Sequence, residues 1–574
     1  MARRSFAKPD GRPERRRDIL RDRGGNVALL FAFLSVPMVM VGGAAIDYGF
    51  ATRLETKLQA AADATALLLC QTPLTTSETE LNALAQTTMT GAMGAASLVV
   101  DRLAITSSPR KITLTAHKQS TTFFGGLTGT QRINPGAVSQ CATPLPKTFE
   151  IALVLDNTGS MAASSGGQSK LQAVQTAATD FVNYVYTSPA FSSASKISIV
   201  PFAASVAVNP ATYRYATWID QAAQSSYHWL NVNGLQGTGI TNRFDIFSKL
   251  QAANSGWAWA GCLETLPYPL NVQDGAPTAS NKDSYYLPLF APDEPGDGSS
   301  EYSEYSTKNS SSISFNSYID DYTNSPDCPK PTRDTSFSTA EGRACKYLSP
   351  RDPSPTSRNR YTGIPNGPNF GCTTQPLQRL TSDTTTLKNL INLMVASGST
   401  NIHEGFMWGW RTLSPNSVFA DGARYSSNSA NSDLSTINKI MILMTDGENT
   451  WPVNSNPSYN KSMYFPFGYF TNADGSNPNS RLPPSNQNIS NARTARDALD
   501  KLTALACSNA KTNNISIYTI GFSVPADPID SAGQTLLRNC ASSPDQFYLA
   551  NSSDDLIKAF KSIQASIGAL RLTQ

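Results

Sequence analysis

Two short motifs place oxygen-bearing side chains directly after apolar runs. Asp156-Asn157-Thr158-Gly159-Ser160 follows Ile151 to Leu155, and Thr445-Asp446-Gly447 follows Lys439 to Met444. Such residues could serve acid catalysis, nucleophilic attack or ligand binding, and the spacing decides among them. An aspartic protease needs D-T-G-S. Here Asn157 separates Asp156 from Thr158, and Asp446 is preceded rather than followed by threonine, so that carboxylate pair is absent. Ser160 as a nucleophile would need a base. The chain has three histidines, His117, His228 and His403, and none is placed by sequence to act as one. His403-Glu404 begins an H-E-x-x-H pattern, but Met407 stands where the second histidine belongs, which excludes a two-histidine helical zinc site. Glu404 reads instead as the N3 partner of Asn401 in a capping box at a helix start. The expectation is a non-enzyme.

The elements around the motifs alternate. Phe149 to Leu155, Lys196 to Phe202, Lys439 to Met444 and Ile515 to Phe522 read as buried strands. Leu171 to Tyr186, Asp383 to Ala396, Ile489 to Ala510 and Ala532 to Ala541 read as helices. Such alternation predicts an α/β fold with a mostly parallel sheet and helices on both faces, and sheets of this kind bind ligands at the carboxyl ends of their strands. Both acidic motifs fall at that edge.

On these residues the chain resembles the von Willebrand factor A family, a Rossmann-like fold with a metal-ion-dependent adhesion site. The resemblance implies that Asp156, Thr158 and Ser160 of the first loop, Thr400 of a second and Asp446 of a third hold a divalent cation. Their oxygen chemistry suits Mg2+, which prefers six oxygen ligands in octahedral array, with Mn2+ or Ca2+ as alternatives. Neutral hydroxyls leave the ion net positive, so an Asp or Glu of a protein partner can complete its shell.

Val27 to Ile46 is a run of twenty residues without a charge, long enough to cross a bilayer as a helix. Nine basic residues against four acidic ones precede it, which by the positive-inside rule keeps the N-terminus cytoplasmic and exports the rest. A cleaved signal peptide is the rival reading, but the apolar stretch exceeds the usual 7 to 15 residues of such segments. Beyond the basic tail there is no basic excess, so nucleic acid is not an expected partner. Arg21 to Ala28, the apolar span, Ala45 to Gly49 and Leu58 to Ala64 together resemble the N-terminal region of TadG-like proteins of the Tad (Flp) pilus system. That resemblance implies a bacterial inner-membrane protein, single-pass, with the bulk of its chain periplasmic and a pilus or envelope component as partner.

Tyr48 to Leu69 continues the helix, with Leu54, Leu58, Ala61, Ala62, Thr65 and Leu68 near helical spacing. This stripe could pack against sister proteins, or be covered by a sheet built from Leu98 to Thr106 and Lys111 to Ala116 in a small α+β module that closes near Cys141. The eight cysteines, an even number without a C-x-x-C pair, fit an exported disulfide framework. Cys70 pairs naturally with Cys141, and Cys507 with Cys540. Cys262, Cys328, Cys345 and Cys372 allow three connectivities, of which Cys262 with Cys372 and Cys328 with Cys345 would close an insertion at its base.

The expected organisation is a basic tail over 1–25, a transmembrane helix over 26–46, and a pilin-like module over 47–146. An A-type domain over 147–570 follows, with insertions at about 204–380 and 451–487. The first insertion is rich in aromatics, including Trp218, Trp229, Trp257, Trp259, Tyr285, Tyr286 and Tyr318, and reads as a folded lid adding aromatic surface near the site. Its stretch Pro292 to Gly298 reads as a solvated acidic loop. A length of 574 residues is too great for one core, and a charged fraction of 16% is low, as suits an exported surface. The leading functional expectation is a membrane-anchored Tad/Flp pilus assembly or anchoring component that binds protein through the cation. A surface adhesin using the same site is the alternative, and a metal-dependent hydrolase a third.

Overall fold

The computed structural model describes all residues except 1–25, 74–75, 108–109, 143–147, 166, 189, 233, 236–237, 295–315, 320–343, 353–366, 426–436, 454–459, 473–480, 569–570 and 573–574. It divides into two compact units, Met1–Leu145 with Leu570–Gln574, and Pro146–Ala569.

In the first unit helix α1 runs unbroken over Asn26–Gln71. Its first half is apolar and exposed, with Phe31, Phe33 and Met38 more than 70% accessible. By length and composition it can cross a membrane. From Leu58 onward one face is buried. Leu58, Ala62, Thr65, Ala66 and Leu69 pack on helix α2 (Glu78–Met93) and on strands β1 (Leu98–Ser107), β2 (Arg110–Lys118) and β3 (Gly136–Ala142), whose inward side chains include Ile112, Leu114 and Ala116. The helix is therefore covered by its own antiparallel sheet. Leu68, read from sequence as part of the stripe, is instead 39% exposed. The Cys70–Cys141 disulfide ties the end of α1 to β3.

The second unit is built on a six-stranded sheet. Its strands are β4 (Thr148–Asp156), β5 (Lys196–Phe202), β6 (Gln378–Thr381), β7 (Ile437–Thr445), β8 (Ile515–Phe522) and β9 (Phe547–Ala550), in the order β6-β5-β4-β7-β8-β9. All neighbours are parallel except the edge strand β6. Alternate residues of β4 serve two cores, which is why the strand reads as one apolar run. Ile151, Leu153 and Leu155 pack against helices α3 (Lys170–Thr187), α5 (Thr384–Leu393) and α9 (Ser553–Ile567). Ala152 and Val154 face α6 (Ile402–Leu413), α7 (Ala492–Thr512) and α8 (Ser531–Cys540). The strand order reverses between β4 and β7, so the crevice at their carboxyl ends is the topological switch point where α/β sheets take ligands.

The insertions differ from expectation in two respects. Most of their described aromatic residues make core rather than surface: Trp257, Trp259, Tyr286, Tyr318 and Trp451 are buried, and Trp218 and Trp229 are half-buried against the same cluster, while Tyr215 stays exposed. Trp451 stacks on Phe465. A segment this long has enough apolar area to extend the core, and aromatic rings supply most of it. Helix α4 (Arg243–Ala253) lies within the first insertion. Nor is the described part of Pro292 to Gly298 solvated. Asp293 is fully buried against Lys346 at 2.7 Å and against the N–H groups of Tyr318 and Ile319, and Glu294 accepts from the Tyr469 hydroxyl. Residues 295–298 lie outside the described set. Cys262 is bonded to Cys372 and Cys507 to Cys540. Cys345 is disulfide-bonded, while Cys328 lies outside the described residues.

Candidate functional site

Asp156 is the last residue of β4, wholly buried, and its two carboxylate oxygens are aimed by different loops. Oδ1 accepts the Thr158 N–H at 2.8 Å, a short turn that swings Thr158 and Ser160 over the strand end. Oδ2 accepts the Thr445 hydroxyl at 2.6 Å, tying β4 to β7 across the switch point. The first loop is then clamped by backbone: Gly159 N–H donates to Gly398 O at 2.9 Å, and the Asn157 side-chain amide to Val395 O at 2.9 Å.

The five residues expected as ligands converge. Ser160 Oγ lies 3.0 Å from Thr158 Oγ1 and donates to Asp446 Oδ1 at 2.7 Å. Thr400 reaches the same place from the turn before α6. Its hydroxyl and that of Ser160 flank Gly447, standing 3.7 and 3.9 Å from the point where a Cβ would project. Asn401 caps α6 through the Glu404 N–H at 3.3 Å, but the Glu404 side chain does not return the bond. It is buried and accepts from the Thr265 hydroxyl instead, so the expected capping box is half made.

Three further residues take part, of which Lys170 and Asp527 lie outside the two motifs. Thr445 orients Asp156. Lys170, the first residue of α3, is fully buried and places Nζ 2.8 Å from Asp446 Oδ2 and 2.6 Å from Asp527 Oδ2. Asp527, in the loop after β8, is about half exposed on its side chain. The carboxyl-edge rule that located Asp156 and Asp446 also points to the end of β8. Lys170 carries no such signal, because a lysine opening a helix ordinarily reads as solvated.

The electrostatics are those of a site short of positive charge. Burial, and then the nearby Asp446, push the Asp156 carboxyl up to about 7, against the pull of the Thr445 and Thr158 hydrogen bonds. Burial also raises Asp446, with Lys170 opposing. The donors are all oxygens, two carboxylates and three hydroxyls, which suit a hard cation rather than a soft one. Adjacent ligands on an octahedral Mg2+ lie about 2.9 Å apart, given metal–oxygen distances of 2.0 to 2.1 Å. The 3.0 and 2.7 Å spacings around Ser160 fit that edge length. The residues present therefore suit a hard divalent ion.

Helix α1 supplies the link to known proteins, through its apolar first half and the small-residue face that follows. Residues 25–68 match the TadE/G-like family of Flp pilus-assembly proteins. The TadE/G-like segment thus covers α1 almost to its end and stops short of the sheet it packs on. No curated protein matches the chain. Among solved structures the chain is similar to the pilus adhesin SpaC from Lactobacillus rhamnosus GG, at 11% identity over 82% of this chain and 34% of that one, with a TM-score of 0.29. It is also similar to the vWF domain of the type V pili tip protein Mfa5 from Porphyromonas gingivalis, at 12% identity over 74% and 95% of the two chains and a TM-score of 0.30. The pilus adhesin RrgA from Streptococcus pneumoniae gives 10% identity over 83% and 49%, with a TM-score of 0.30. The chain spans about a third of the length of SpaC, and likeness at this level carries no functional argument.

Proposed function

We propose that this protein is a pilus-associated component, anchored in the bacterial inner membrane by α1, whose periplasmic α/β unit binds a protein partner through a divalent cation. The observation that carries the reading is the chain of oxygens from Thr158 through Ser160 to Asp446, beside Asp156 and Thr400, at the switch point of a sheet in the same polypeptide as a TadE/G-like helix. Asp156, Thr158, Ser160, Thr400 and Asp446 would hold the ion, Mg2+ first, with Mn2+ or Ca2+ as alternatives. What such an ion supplies when bound is one coordination position open to a partner's carboxylate oxygen. Thr445 fixes the Asp156 carboxylate and Lys170 fixes that of Asp446, so both acids are oriented before any ligand arrives. Lys170 also takes up part of the Asp446 charge, which keeps the two acids from neutralising a divalent ion fully and favours an acidic partner.

The role is binding rather than catalysis. Ser160 gives its proton to Asp446 and has no histidine beside it. His117 pairs with Asp101 in the other unit, and His228 and His403 are buried, with His228 held by Asp220 in the first insertion. The disulfides fit an oxidising compartment. Calorimetric titration of Mg2+ and Mn2+ into the full chain in lipid nanodiscs, beside Asp156→Ala, tests the site. Saturable binding in the wild type and none in the variant is the expected result. Equal heats in the two proteins would overturn the ligand assignment.

A further inference from the structure

In the first unit Ser120–Thr121 pairs antiparallel with Arg132–Ile133, making residues 122–131 the tip of a short hairpin. No residue from Ser120 to Thr130 is charged, and the tip presents Phe123 with 73% of its surface exposed. Isolated exposed phenylalanines are ordinary, but this one sits on a tip whose backbone is held by hydrogen bonds within the unit. Thr122 N–H donates to Gln131 O at 3.2 Å, and its hydroxyl to Thr130 O at 2.7 Å. The N–H groups of Phe123 and Phe124 donate to the two carboxylate oxygens of Asp47 at 2.8 and 2.9 Å. A Cβ at Gly125 would stand 1.8 Å from Thr122 Oγ1 and 1.9 Å from Thr130 O, so the tight closure depends on glycine there. Internal satisfaction of backbone groups is the condition for entering a medium without water.

The tip is also held at a defined height on α1. The Phe124 ring lies against Gly43, where a Cβ would be 2.7 Å from its Cγ, and the Phe123 ring sits 5.1 Å from that of Phe50. Gly43 lies inside the uncharged run Val27 to Ile46, and Asp47 and Phe50 follow directly. A loop packed alongside that run is at the depth where α1 leaves the bilayer. Tyr48 and Phe50 are themselves 74% and 50% exposed, so three accessible rings lie at about one level, with Phe50 and Phe123 in contact and Tyr48 on another face of α1. Exposed Arg53, one turn further along α1, and exposed Arg132, at the hairpin base, put long basic side chains just beyond the rings. Aromatic rings bordered by snorkelling basic residues are the composition of a membrane interface.

We propose that the hairpin tip is a second membrane contact, seating Phe123 beside Phe50, at the level of Tyr48, in the boundary of the leaflet from which α1 emerges. The inference rests on the reading of α1 as a membrane span. The tip turns a single-helix anchor into a two-point one, fixing the rotation of α1 about its axis as well as its depth.

The test uses the full chain in liposomes of phosphatidylethanolamine and phosphatidylglycerol, with one nitroxide-labelled cysteine at a time. Among the described residues no free cysteine competes for the label. Phe123→Cys probes the tip, Val36→Cys the middle of the span, and Val138→Cys the exposed face of β3; the last two positions are 61% and 59% accessible. The ratio of oxygen to nickel-chelate accessibility at position 123 is expected to be several-fold above that at 138 and below that at 36. A ratio at 123 equal to that at 138, with 36 in lipid, overturns the tip contact and leaves the span standing. Protection of 123 from both reagents means that a second copy or another protein covers the ring, and also overturns the proposal. Water-like values at 36 remove the span and the tip contact together.

Discussion

Glu264 and Asp446 are both buried carboxylates met by cations from distant parts of the chain, yet their environments push them in opposite directions. Glu264 sits between Arg243 and Arg481, each at 2.5 Å, and also accepts from the Tyr464 hydroxyl. Burial alone would raise its carboxyl, but the two guanidiniums outweigh that and hold it below the usual range. Asp446 has one ammonium, shared with Asp527, and a second buried acid, Asp156, beside it. Burial wins there, and both acids are raised. Among the described residues the first cluster is complete, one carboxylate held by two guanidiniums, and the second is incomplete, with Asp156, Asp446 and Asp527 sharing a single ammonium.

The largest expected effect comes from breaking the complete cluster. Arg481→Met leaves Glu264 partly uncompensated in the interior and should cost roughly 3 to 5 kcal/mol, the usual penalty for removing one partner of a buried pair. The loss, read from denaturant midpoints, should be the same with and without Mg2+. A Mg2+-dependent loss would join two clusters that are here held separate.

Lys170→Met should act in the opposite sense on the incomplete cluster. Without metal the thermal midpoint falls, because Asp446 loses the ammonium paired with it, while the rise on adding Mg2+ becomes larger than in wild type, since binding to the folded state alone stabilises it. Thermal melts in chelator and in saturating Mg2+ measure both. An unchanged Mg2+ increment would show that Lys170 does not share the ion's place in the charge balance.

The pH dependence sharpens the same point. Asp156 binds its proton up to about 7 in the folded protein, against about 3.9 for a free aspartate. Between those values the folded state holds more protons than the unfolded one, so metal-free stability from this group is full below about pH 4 and declines as pH rises toward 7. Cation affinity should climb over the same window, because binding requires the ionised acid, and level off above it. Both slopes should flatten in Asp156→Asn, as followed by melts and titrations between pH 5 and 8.

The smallest effect is expected for Thr400→Ala. It removes one hydroxyl at the site rim without opening the core, so melting in chelator should match wild type while Mg2+ binding weakens several-fold. Unchanged Mg2+ affinity would remove Thr400 from the ligand set.

Much of this is legible in the amino-acid sequence. Strands β5 and β8 begin and end where their apolar runs do, since a strand buried on both faces admits few polar residues. The motifs at Asp156 and Asp446 stood out because the strand ends fixed their location. Other features were hidden for physical reasons. The short edge strand β6 is only half-buried along its length, and so carries no periodic signal. Lys170 and Glu404 belong to residue types that normally face water, and only the fold reveals that each is buried with a partner. The aromatics of the insertion could be counted but not oriented, because surface and core rings look alike in a sequence without periodicity.

The bond between Cys262 and Cys372 spans 110 positions, and the site lies on both sides of it, with Asp156 before and Thr400 and Asp446 after. Everything between the two sulfurs is a covalently closed loop, and it packs into the same core as the sheet. A protease that made one cut anywhere inside that loop would leave the two halves of the candidate site on one covalent molecule.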